Sequence, residues 1–453
     1  MPLRSRLIRL APLALLAALL GACEDGPSGP PPALSITATG TLQRGATVTL
    51  SATREGQAVP AGQVAWTVVP AAAGELLAGG QLRLLAAGTV EVRGSYDGST
   101  GRTQLQVADL GALVISAAGR TERGSTLTLT VTRDGQAVPA ANVTWTLQPS
   151  TGGEVLPGGQ VRLLAAGALE VRGSFDGSTG ALPVTVAVPP TLVFDMSVAG
   201  NRDLYSIALD GGGLTRITDD PAVDSDPSVA AGKILFVSVR AGNPELYVMP
   251  AAGGAATRIT TTAARSEASP ALSPDGTRMA YTNDVSGVAR IWTANVDGTG
   301  AAAFTGGLGF AGSPETAPSW APTGNRLSFV GTGQGTADIW DLTAGGTAAI
   351  LAGGDSADVD PAWNPGGTHV AFASTREGDP AIFTVRVSDR LITRLSTRAG
   401  AEAEPSWTAD GRLVYIEFGA ANATRLVWID PAQPAVVHEI PVTGNPRHPS
   451  VVR

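Results

Sequence analysis

The chain has 453 residues, 43% of them apolar and 15% charged, with 57 glycines and 32 prolines. This composition favours an all-β fold with several cores over a helical one, and a single cysteine excludes internal disulfides. The net charge is −8, and the acidic excess lies in residues 190–453. Such a charge opposes nucleic-acid binding, because that requires a basic surface.

The N-terminus has the layout of a secretory signal. Arginines at positions 4, 6 and 9 precede an apolar run over residues 10–20, which is too short to span a bilayer as a permanent helix. The run ends in Leu20-Gly21-Ala22-Cys23, which resembles the lipobox where bacterial lipoproteins are cleaved and acylated on cysteine. An ordinary secretory signal cleaved nearby is the alternative.

The lipobox resemblance implies a signal peptide over residues 1–22 and a lipid anchor on Cys23. Two or more acyl chains would hold the protein stably on a membrane of the cell envelope. The residue after the cysteine is Glu24, and the resemblance then favours the outer membrane. Residues 23–33 are rich in Pro and Gly and predict a semi-extended tether.

Residues 34 to 188 contain a tandem duplication with an offset of 79 residues, seen in the pair Trp66 and Trp145. Alternating strands such as 47–52, separated by turn residues, predict a small β-sandwich for each copy, at 34–109 and 110–188. The motifs Gly-x-x-x-x-Leu-x-Ala, Val-x-Trp-Thr and Ala-Ala-Gly-x-x-Glu-Val resemble the bacterial Ig-like group 2 domain. The resemblance implies spacers or, alternatively, adhesion domains.

The remainder, 189–453, is built on a repeat of a proline followed by a small and an apolar residue. The anchors recur every 43 to 48 residues, a period typical of propeller blades; they are Pro227, Pro270, Pro318, Pro361, Pro405 and Pro449. Two series of six aromatic residues keep the same period on the following strands. The sequence therefore predicts an all-β fold in which a six-bladed β-propeller follows two tandem Ig-like β-sandwiches.

The line Pro318-Ser319-Trp320-Ala321-Pro322-Thr323-Gly324, together with Glu245-Leu246-Tyr247-Val248-Met249, resembles the TolB-type propeller repeat, a relative of the WD repeat. The unit at Pro227 departs from it by lacking the Trp and the Pro-Asp turn. The resemblance implies docking of envelope proteins or peptide segments at the channel mouth. The N-terminal domain of TolB itself is missing, so membership of the Tol–Pal system does not follow.

Acidic residues recur in register with the anchor prolines, and we expect them to surround one mouth of the channel as candidate binding residues. Such a field suits a cationic peptide segment or a metal ion, whereas the alternative is that each acid hydrogen-bonds backbone within its own blade. Five acids stand three residues before an anchor: Asp224, Glu267, Glu315, Asp358 and Glu402. Three acids and one histidine stand directly before an anchor: Asp226, Asp360, Glu404 and His448.

Motifs for catalysis or cofactors are missing from the sequence: no Gly-x-Ser-x-Gly, phosphate loop, zinc spacing or His-Glu-x-x-His occurs. We therefore expect a non-enzymatic protein without a cofactor or a dedicated metal site. A weak calcium site at Asp219, Asp220, Asp224 and Asp226 is an alternative, although the central Gly of a calcium loop is lacking. The rival function is a glycan-binding or carbohydrate-active propeller, such as a metal-dependent lyase.

The repeat begins with the second strand of a unit and ends with the first strand of another. Residues 192–194 form a second strand with no first strand before it, and the chain's last residues form a first strand with nothing after it. We therefore predict that Ser450 to Arg453 pair with Leu192 to Met196. This pairing would close the ring and leave no exposed edge in the opening blade.

Overall fold

The computed structural model describes residues 31–262, 265–285, 287–305, 313–333, 335–398, 400–420 and 423–452. The predicted signal peptide, the Cys23 anchor and the tether up to residue 30 lie outside this range. Among the described residues, no helix has the length and apolar character needed to cross a membrane. Strands and turns make up nearly all of the described chain, so the all-β prediction is confirmed.

The chain divides into two compact units. Of the described residues, the first unit comprises those up to 116 and those at 130–145 and 172–182, and the second comprises 117–129, 146–171 and those from 183 onward. The division passes through the second of the two duplicated modules.

The first module has a five-stranded sheet, in which β1, β2, β6 and β5 are neighbours and β3 pairs with β2, and a three-stranded sheet of order β4-β7-β8. The alternating pattern of β2 sends Val48 and Leu50 into a core shared with Val90 and Val92 of the other sheet. The strands are β1 (Leu34–Thr39), β2 (Thr47–Arg54), β3 (Gln57–Val59), β4 (Ala65–Val69), β5 (Gly74–Leu77), β6 (Gln81–Leu84), β7 (Gly88–Tyr96) and β8 (Ser99–Val107).

The second module repeats this topology. Its sheets have the orders β11-β10-β14-β13, with β9 on β10, and β12-β15-β16. The strands are β9 (Leu113–Ala118), β10 (Thr126–Arg133), β11 (Gln136–Val138), β12 (Thr144–Gln148), β13 (Gly153–Leu156), β14 (Gln160–Leu163), β15 (Gly167–Phe175) and β16 (Ser178–Val186). Short 3₁₀ helices connect strands of both modules at Ala61–Gln63, Ala71–Ala73, Ala140–Asn142 and Ser150–Gly152.

From residue 191 the described chain forms six antiparallel sheets of four strands, numbered here in chain order. The first sheet has the order β19-β18-β17-β40, and the others use consecutive strands: β20–β23, β24–β27, β28–β31, β32–β35 and β36–β39.

The strands of the first three sheets are β17 (Thr191–Val198), β18 (Asn201–Ala208), β19 (Thr215–Arg216), β20 (Asp224–Ala230), β21 (Lys233–Ser238), β22 (Glu245–Pro250), β23 (Thr257–Arg258), β24 (Glu267–Leu272), β25 (Arg278–Val285), β26 (Val288–Asn295) and β27 (Ala302–Ala303). The others are β28 (Glu315–Trp320), β29 (Arg326–Gly331), β30 (Asp338–Thr343), β31 (Ala349–Ala352), β32 (Asp358–Trp363), β33 (His369–Ser374), β34 (Ala381–Arg386), β35 (Ile392–Arg394), β36 (Ala401–Trp407), β37 (Leu413–Phe418), β38 (Thr424–Ile429), β39 (Val437–Ile440) and β40 (Asn445–Val451).

The six sheets close into a circle through their inner strands. Each of β40, β20, β24, β28, β32 and β36 contacts the next, and β36 contacts β40. The serine of the Pro-Ser motif links neighbours, because Oγ of Ser228 accepts a hydrogen bond from the Leu272 N–H of the next strand at 2.9 Å. The tryptophan of the motif links back, because Nε1 of Trp320 donates to the Ala271 carbonyl at 3.1 Å. The recurrent motif therefore holds adjacent sheets together.

The last strand closes the first sheet, as the sequence predicted, but the pairing starts further back in the chain than the predicted Ser450. In β40, Val451 pairs with Leu192 and Ser450 with Val193, and the pairing continues to Asn445 opposite Ser197. Residues of the first and last sheets share one core, with Leu192 and Val451 packed near Val414. The predicted end of this pairing, Arg453, lies outside the described residues.

Candidate functional site

Each inner strand carries a β-bulge just before its anchor proline. The residue preceding the proline has a positive φ at all six positions although none is glycine: Asp226 (50°), Ser269 (46°), Ala317 (49°), Asp360 (54°), Glu404 (57°) and His448 (48°). Such a backbone costs a non-glycine residue on the order of 1 kcal/mol or more, and this strain is retained in every sheet. The bulge turns the side chain away from the regular pleat.

The six pre-proline residues line a channel at the centre of the circle of inner strands. Its volume is about 540 Å³, and its wall also includes Trp320, Trp363 and Arg447. This volume is comparable to that of pockets which hold a small molecule or a few residues of a peptide.

One arc of the channel wall is charged and centres on His448. Its Nδ1 lies 2.6 Å from Oδ1 of Asp195 and 2.9 Å from Oδ1 of Asp226. Asp195 is completely buried, and Arg202 also binds its carboxylate. One ligand atom from each of Asp195, Asp226 and His448 falls within 4.8 Å of the others, a grouping that could hold a metal ion.

Glu404 extends the charged arc on the other side of His448. Its Oε1 accepts a hydrogen bond from Nε of Arg447 at 2.6 Å, and its Oε2 accepts one from the backbone N–H of His448 at 2.5 Å. The Arg447 guanidinium also lies over the Phe418 ring, 5.1 Å from its centre. Two adjacent residues of the last strand are thus bonded to the first, second and sixth sheets.

Protonation follows from these contacts. Burial alone would lower the pKa of His448, but the carboxylates of Asp195 and Asp226 outweigh it and raise the pKa to about 11, so the ring is an imidazolium at neutral pH. Burial alone would raise the pKa of Asp226, but its hydrogen bond to His448 and the charge of that ring outweigh burial and hold the pKa of Asp226 below its ordinary value.

Asp360 is the least compensated carboxylate of the wall. Its Oδ2 accepts a hydrogen bond from the Glu404 N–H at 3.3 Å, and no arginine among the described residues forms an ion pair with it. Burial, and next the nearby charge of Glu404, raise the pKa of Asp360 to about 6. At neutral pH this carboxylate is mostly ionised, and a further positive charge next to it would stabilise the ionised form.

On the opposite arc of the wall, the residues before the anchor prolines have small, neutral side chains. Ser269 and Ala317 occupy the positions that hold Asp, Glu or His elsewhere. The channel is therefore asymmetric, with space on one side and charge on the other.

The five acids that stand three residues before each anchor are placed elsewhere. All five are buried within the sheets, at most 1% exposed, and they do not line the channel: Asp224, Glu267, Glu315, Asp358 and Glu402. The sequence predicted these five acids at the channel mouth, and the structure places them inside the sheets instead. The bulge explains the difference, because it separates the face of these acids from that of the pre-proline residues.

Arginines of the neighbouring strand ends neutralise two of these acids in the same way. Nη2 of Arg240 donates to both carboxylate oxygens of Asp224, at 2.8 and 2.7 Å, and Arg376 binds Asp358 with equal distances. In each case Nε of the arginine donates to the serine two residues before it. The partners are side chains rather than the backbone groups that the sequence alternative proposed.

The other three acids have different partners. Glu315 accepts hydrogen bonds from the Ile291 N–H and from Thr305, with Arg290 nearby. Glu402 accepts a hydrogen bond from the Ile382 N–H at 3.3 Å, and Glu267 accepts hydrogen bonds from the neutral side chains of Thr262 and Asn283.

The four aspartates considered for calcium are not brought to one site. Asp224 is buried against Arg240, which also lies 3.7 Å from Asp220, whereas Asp226 faces His448 in the channel.

Asp195, Arg202 and Arg447 were not recognised from the sequence as site residues. The predicted closure was the signal that could have found them, because pairing of the last strand with residues 192–196 places Asp195 opposite Arg447.

Comparison with known proteins supports a β-propeller fold. A model of the TolB β-propeller domain matches residues 157–314 and 269–437, more than half of the chain, the first match starting within the second module. TolB from Acinetobacter baumannii is similar at 14% identity and a TM-score of 0.52, covering 75% of this chain and 82% of that one. The sequence matches none of the curated proteins with which it was compared.

Two further solved structures are similar at lower scores. A protein assigned as TolB from Agrobacterium tumefaciens has 19% identity and a TM-score of 0.48, covering 57% of this chain and 91% of that one. A puromycin-hydrolysing peptidase of Mycobacterium tuberculosis has 16% identity and a TM-score of 0.42, covering 72% of this chain and 52% of that one. At such identities the similarity concerns the fold alone.

Proposed function

Because the chain belongs to the TolB β-propeller domain family, we propose that its six sheets are the blades of one propeller that binds a protein or peptide segment at its channel mouth. In this proposal the two modules at 34–109 and 110–188 are Ig-like spacers. Acylated Cys23 anchors the protein in the cell envelope, with the outer membrane favoured. The ligand is another envelope protein.

The observation that carries the proposal is the asymmetric wall of the channel. A peptide segment inserted there meets open space beside Ser269 and Ala317, and its polar groups meet Asp226, Asp360 and Glu404. The charge of Asp360, which His448 and Arg447 offset only in part, favours a ligand with a basic group close to the mouth.

The state of His448 supports a binding role over a catalytic one. A general base near neutral pH needs a pKa close to that pH, whereas the pKa of His448 is raised to about 11 by its two aspartates. Its proton is engaged with Asp195 and Asp226, where it stabilises the closed ring.

The test is retention of envelope proteins by the immobilised full chain, compared with two variants that each lose one acid. Asp360→Asn changes the channel wall, whereas Asp389→Asn changes an exposed ion pair with Arg386 in the same sheet, outside the channel. We expect a protein that the wild type and Asp389→Asn retain and Asp360→Asn retains several-fold less. Equal retention by the two variants would contradict binding at the channel.

A second candidate, a glycan-binding or metal-dependent carbohydrate-active propeller, is favoured by the grouping of Asp195, Asp226 and His448. A divalent ion there must displace the proton of His448, so its binding would release a proton and strengthen with rising pH. Calorimetric titration of the full chain with Mn²⁺ or Ca²⁺ in buffers of different ionisation enthalpy measures this proton release. Proteinase treatment of the envelope extract that leaves the retained ligand intact would likewise favour the glycan.

A further inference from the structure

Two buried glutamates meet between the second and third sheets. Glu245 belongs to β22 and Glu267 to β24, and both are wholly buried. Thr262 bonds to both of them, because its N–H donates to Oε1 of Glu245 at 2.8 Å and its Oγ1 donates to Oε1 of Glu267 at 2.7 Å. Two donor atoms of one residue thus fix the two carboxyl groups close together.

The second oxygen of each carboxyl group has no partner. Oε2 of Glu245 and Oε2 of Glu267 are both buried without a hydrogen bond within the described residues. A buried acceptor without a donor costs roughly 1–3 kcal/mol, and two like charges in contact cost more. One proton shared by the pair removes the second charge and supplies the missing donor.

The groups around the pair supply one positive charge in direct contact. Nη2 of Arg258 donates to Oε1 of Glu245 at 2.6 Å, whereas Glu267 receives a neutral donor, Nδ2 of Asn283, at 2.7 Å. Tyr281 of β25 lies near Glu267: burial, and next the charge of Glu267, raises the pKa of Tyr281 to about 12, and the charge of Arg265 opposes this shift.

The two carboxyl groups consequently differ. Burial, followed by the neighbouring Glu245, raises the pKa of Glu267 to about 7. Burial also acts on Glu245, but hydrogen bonds from Thr260 and Arg258 outweigh it and hold its pKa below the ordinary value. The proton therefore resides mainly on Glu267.

The equivalent acids of the second and fifth sheets are neutralised differently. Asp224 and Asp358 each receive two hydrogen bonds from an arginine two residues after the serine that ends the next strand. In the third sheet Asn283 takes the place of that serine, and the residue two positions later is Val285. The third sheet thus needs a proton where the second and fifth sheets have an arginine.

We propose that the contact between the second and third sheets, the Glu245–Glu267 seam, is closed by one shared proton and loosens when that proton is lost. Loss of the proton leaves two ionised carboxylates buried beside Arg258. The same strand β24 carries Ser269, which lines the channel two residues after Glu267. The seam therefore links the pH of the surroundings to the wall of the binding channel, in the range where Glu267 titrates.

The effect on global stability has a definite sign. Glu267 binds its proton more tightly in the folded than in the unfolded chain, so the free energy of unfolding falls as pH rises from the ordinary value of 4.5 to about 7 and then levels off. The corresponding change in the unfolding equilibrium is on the order of 100-fold.

The test compares thermal unfolding of the full chain with that of Glu267→Gln, whose amide imitates the protonated acid, from about pH 4.5 to about pH 8.5. We expect the melting temperature of wild type to fall relative to the variant up to about pH 7. The matched control Asp358→Asn loses the partner of Arg376 and should be destabilised across this range. Parallel curves for wild type and Glu267→Gln would overturn the proposal.

A measurement on wild type decides the matter even if the variant folds poorly. The infrared carbonyl band of a protonated carboxylic acid should be present at about pH 6 and decline through about pH 7, and in Glu245→Gln the decline should move to lower pH. Alongside it, hydrogen exchange at equal pH should show less protection of 267–272 in wild type than in Glu267→Gln above pH 7. A wild type without that band at about pH 6 would refute the shared proton.

Discussion

Removal of the last six residues, His448 to Arg453, tests whether the ends of the chain hold the ring together. The deletion exposes the core that Val451 covers, worth about 1.5–3 kcal/mol. It also removes the hydrogen bond from the Val229 N–H to Oγ of Ser450 at 2.9 Å, about 1 kcal/mol. Asp195, buried and bound to Arg202, loses its second cationic partner, which adds roughly 1–3 kcal/mol.

These terms amount to a loss of roughly 4–7 kcal/mol in the free energy of unfolding. Calorimetry or circular dichroism of the full chain against the deletion variant should show a fall of roughly 10 °C or more in the propeller transition. A deletion of Arg453 alone is the control for ordinary fraying at a terminus. An unchanged melting temperature after loss of all six residues would refute the closure and the packing argument behind it.

Four other predictions concern the anchor, the closure, an ion pair of the second unit and the fragment 190–453. Cys23→Ala should abolish partitioning of the mature protein into a detergent phase, and a mutant still found there would contradict lipidation. Because the folded-state pKa of His448 is raised from 6.5 to about 11, the stability that its charge provides is complete below pH 6.5 and is lost as pH rises towards 11; thermal melts of His448→Gln should lack this decline. Glu122→Gln should cost roughly 1–3 kcal/mol in urea unfolding, because it removes one of the two carboxylates that pair with the buried Arg412 guanidinium, the other being Asp410; no loss in the variant would contradict this. Residues 190–453 expressed alone should still fold in one cooperative transition, and aggregation of the fragment would oppose that expectation.

The periodicity of the sequence was sufficient to predict the strands and the closing pair. Proline anchors recur at one spacing, and a strand that lacks a neighbour must find one at the other end of the chain. Position on the strand was harder to predict. Asp358 and Asp360 are two residues apart and would share one face of a regular strand, yet the bulge between Val359 and Ala362 buries Asp358 and leaves Asp360 on the channel.

The sequence pattern also did not predict which groups neutralise the repeated buried acids. The repeated acid at the start of each inner strand is neutralised by arginine in the second and fifth sheets but by a proton in the third. Arg240 and Arg376 follow a serine at a spacing of two, which is a visible signal once their contacts are known. Without the contacts, that spacing does not distinguish them from the other arginines of a chain that carries 31 basic residues.

The channel and the closure of the ring use the same residues, and this has a thermodynamic consequence. His448 and Arg447 line the channel and also bond the last strand to Asp195, Asp226 and Glu404. A ligand that binds the closed ring and not the opened one must stabilise the closure, by an amount set by its concentration and affinity. Conversely, a variant that weakens the closure must lower the affinity for the ligand, because the two equilibria are linked. Binding at this channel and the stability of the last strand are therefore coupled, and a change in one should be measurable as a change in the other.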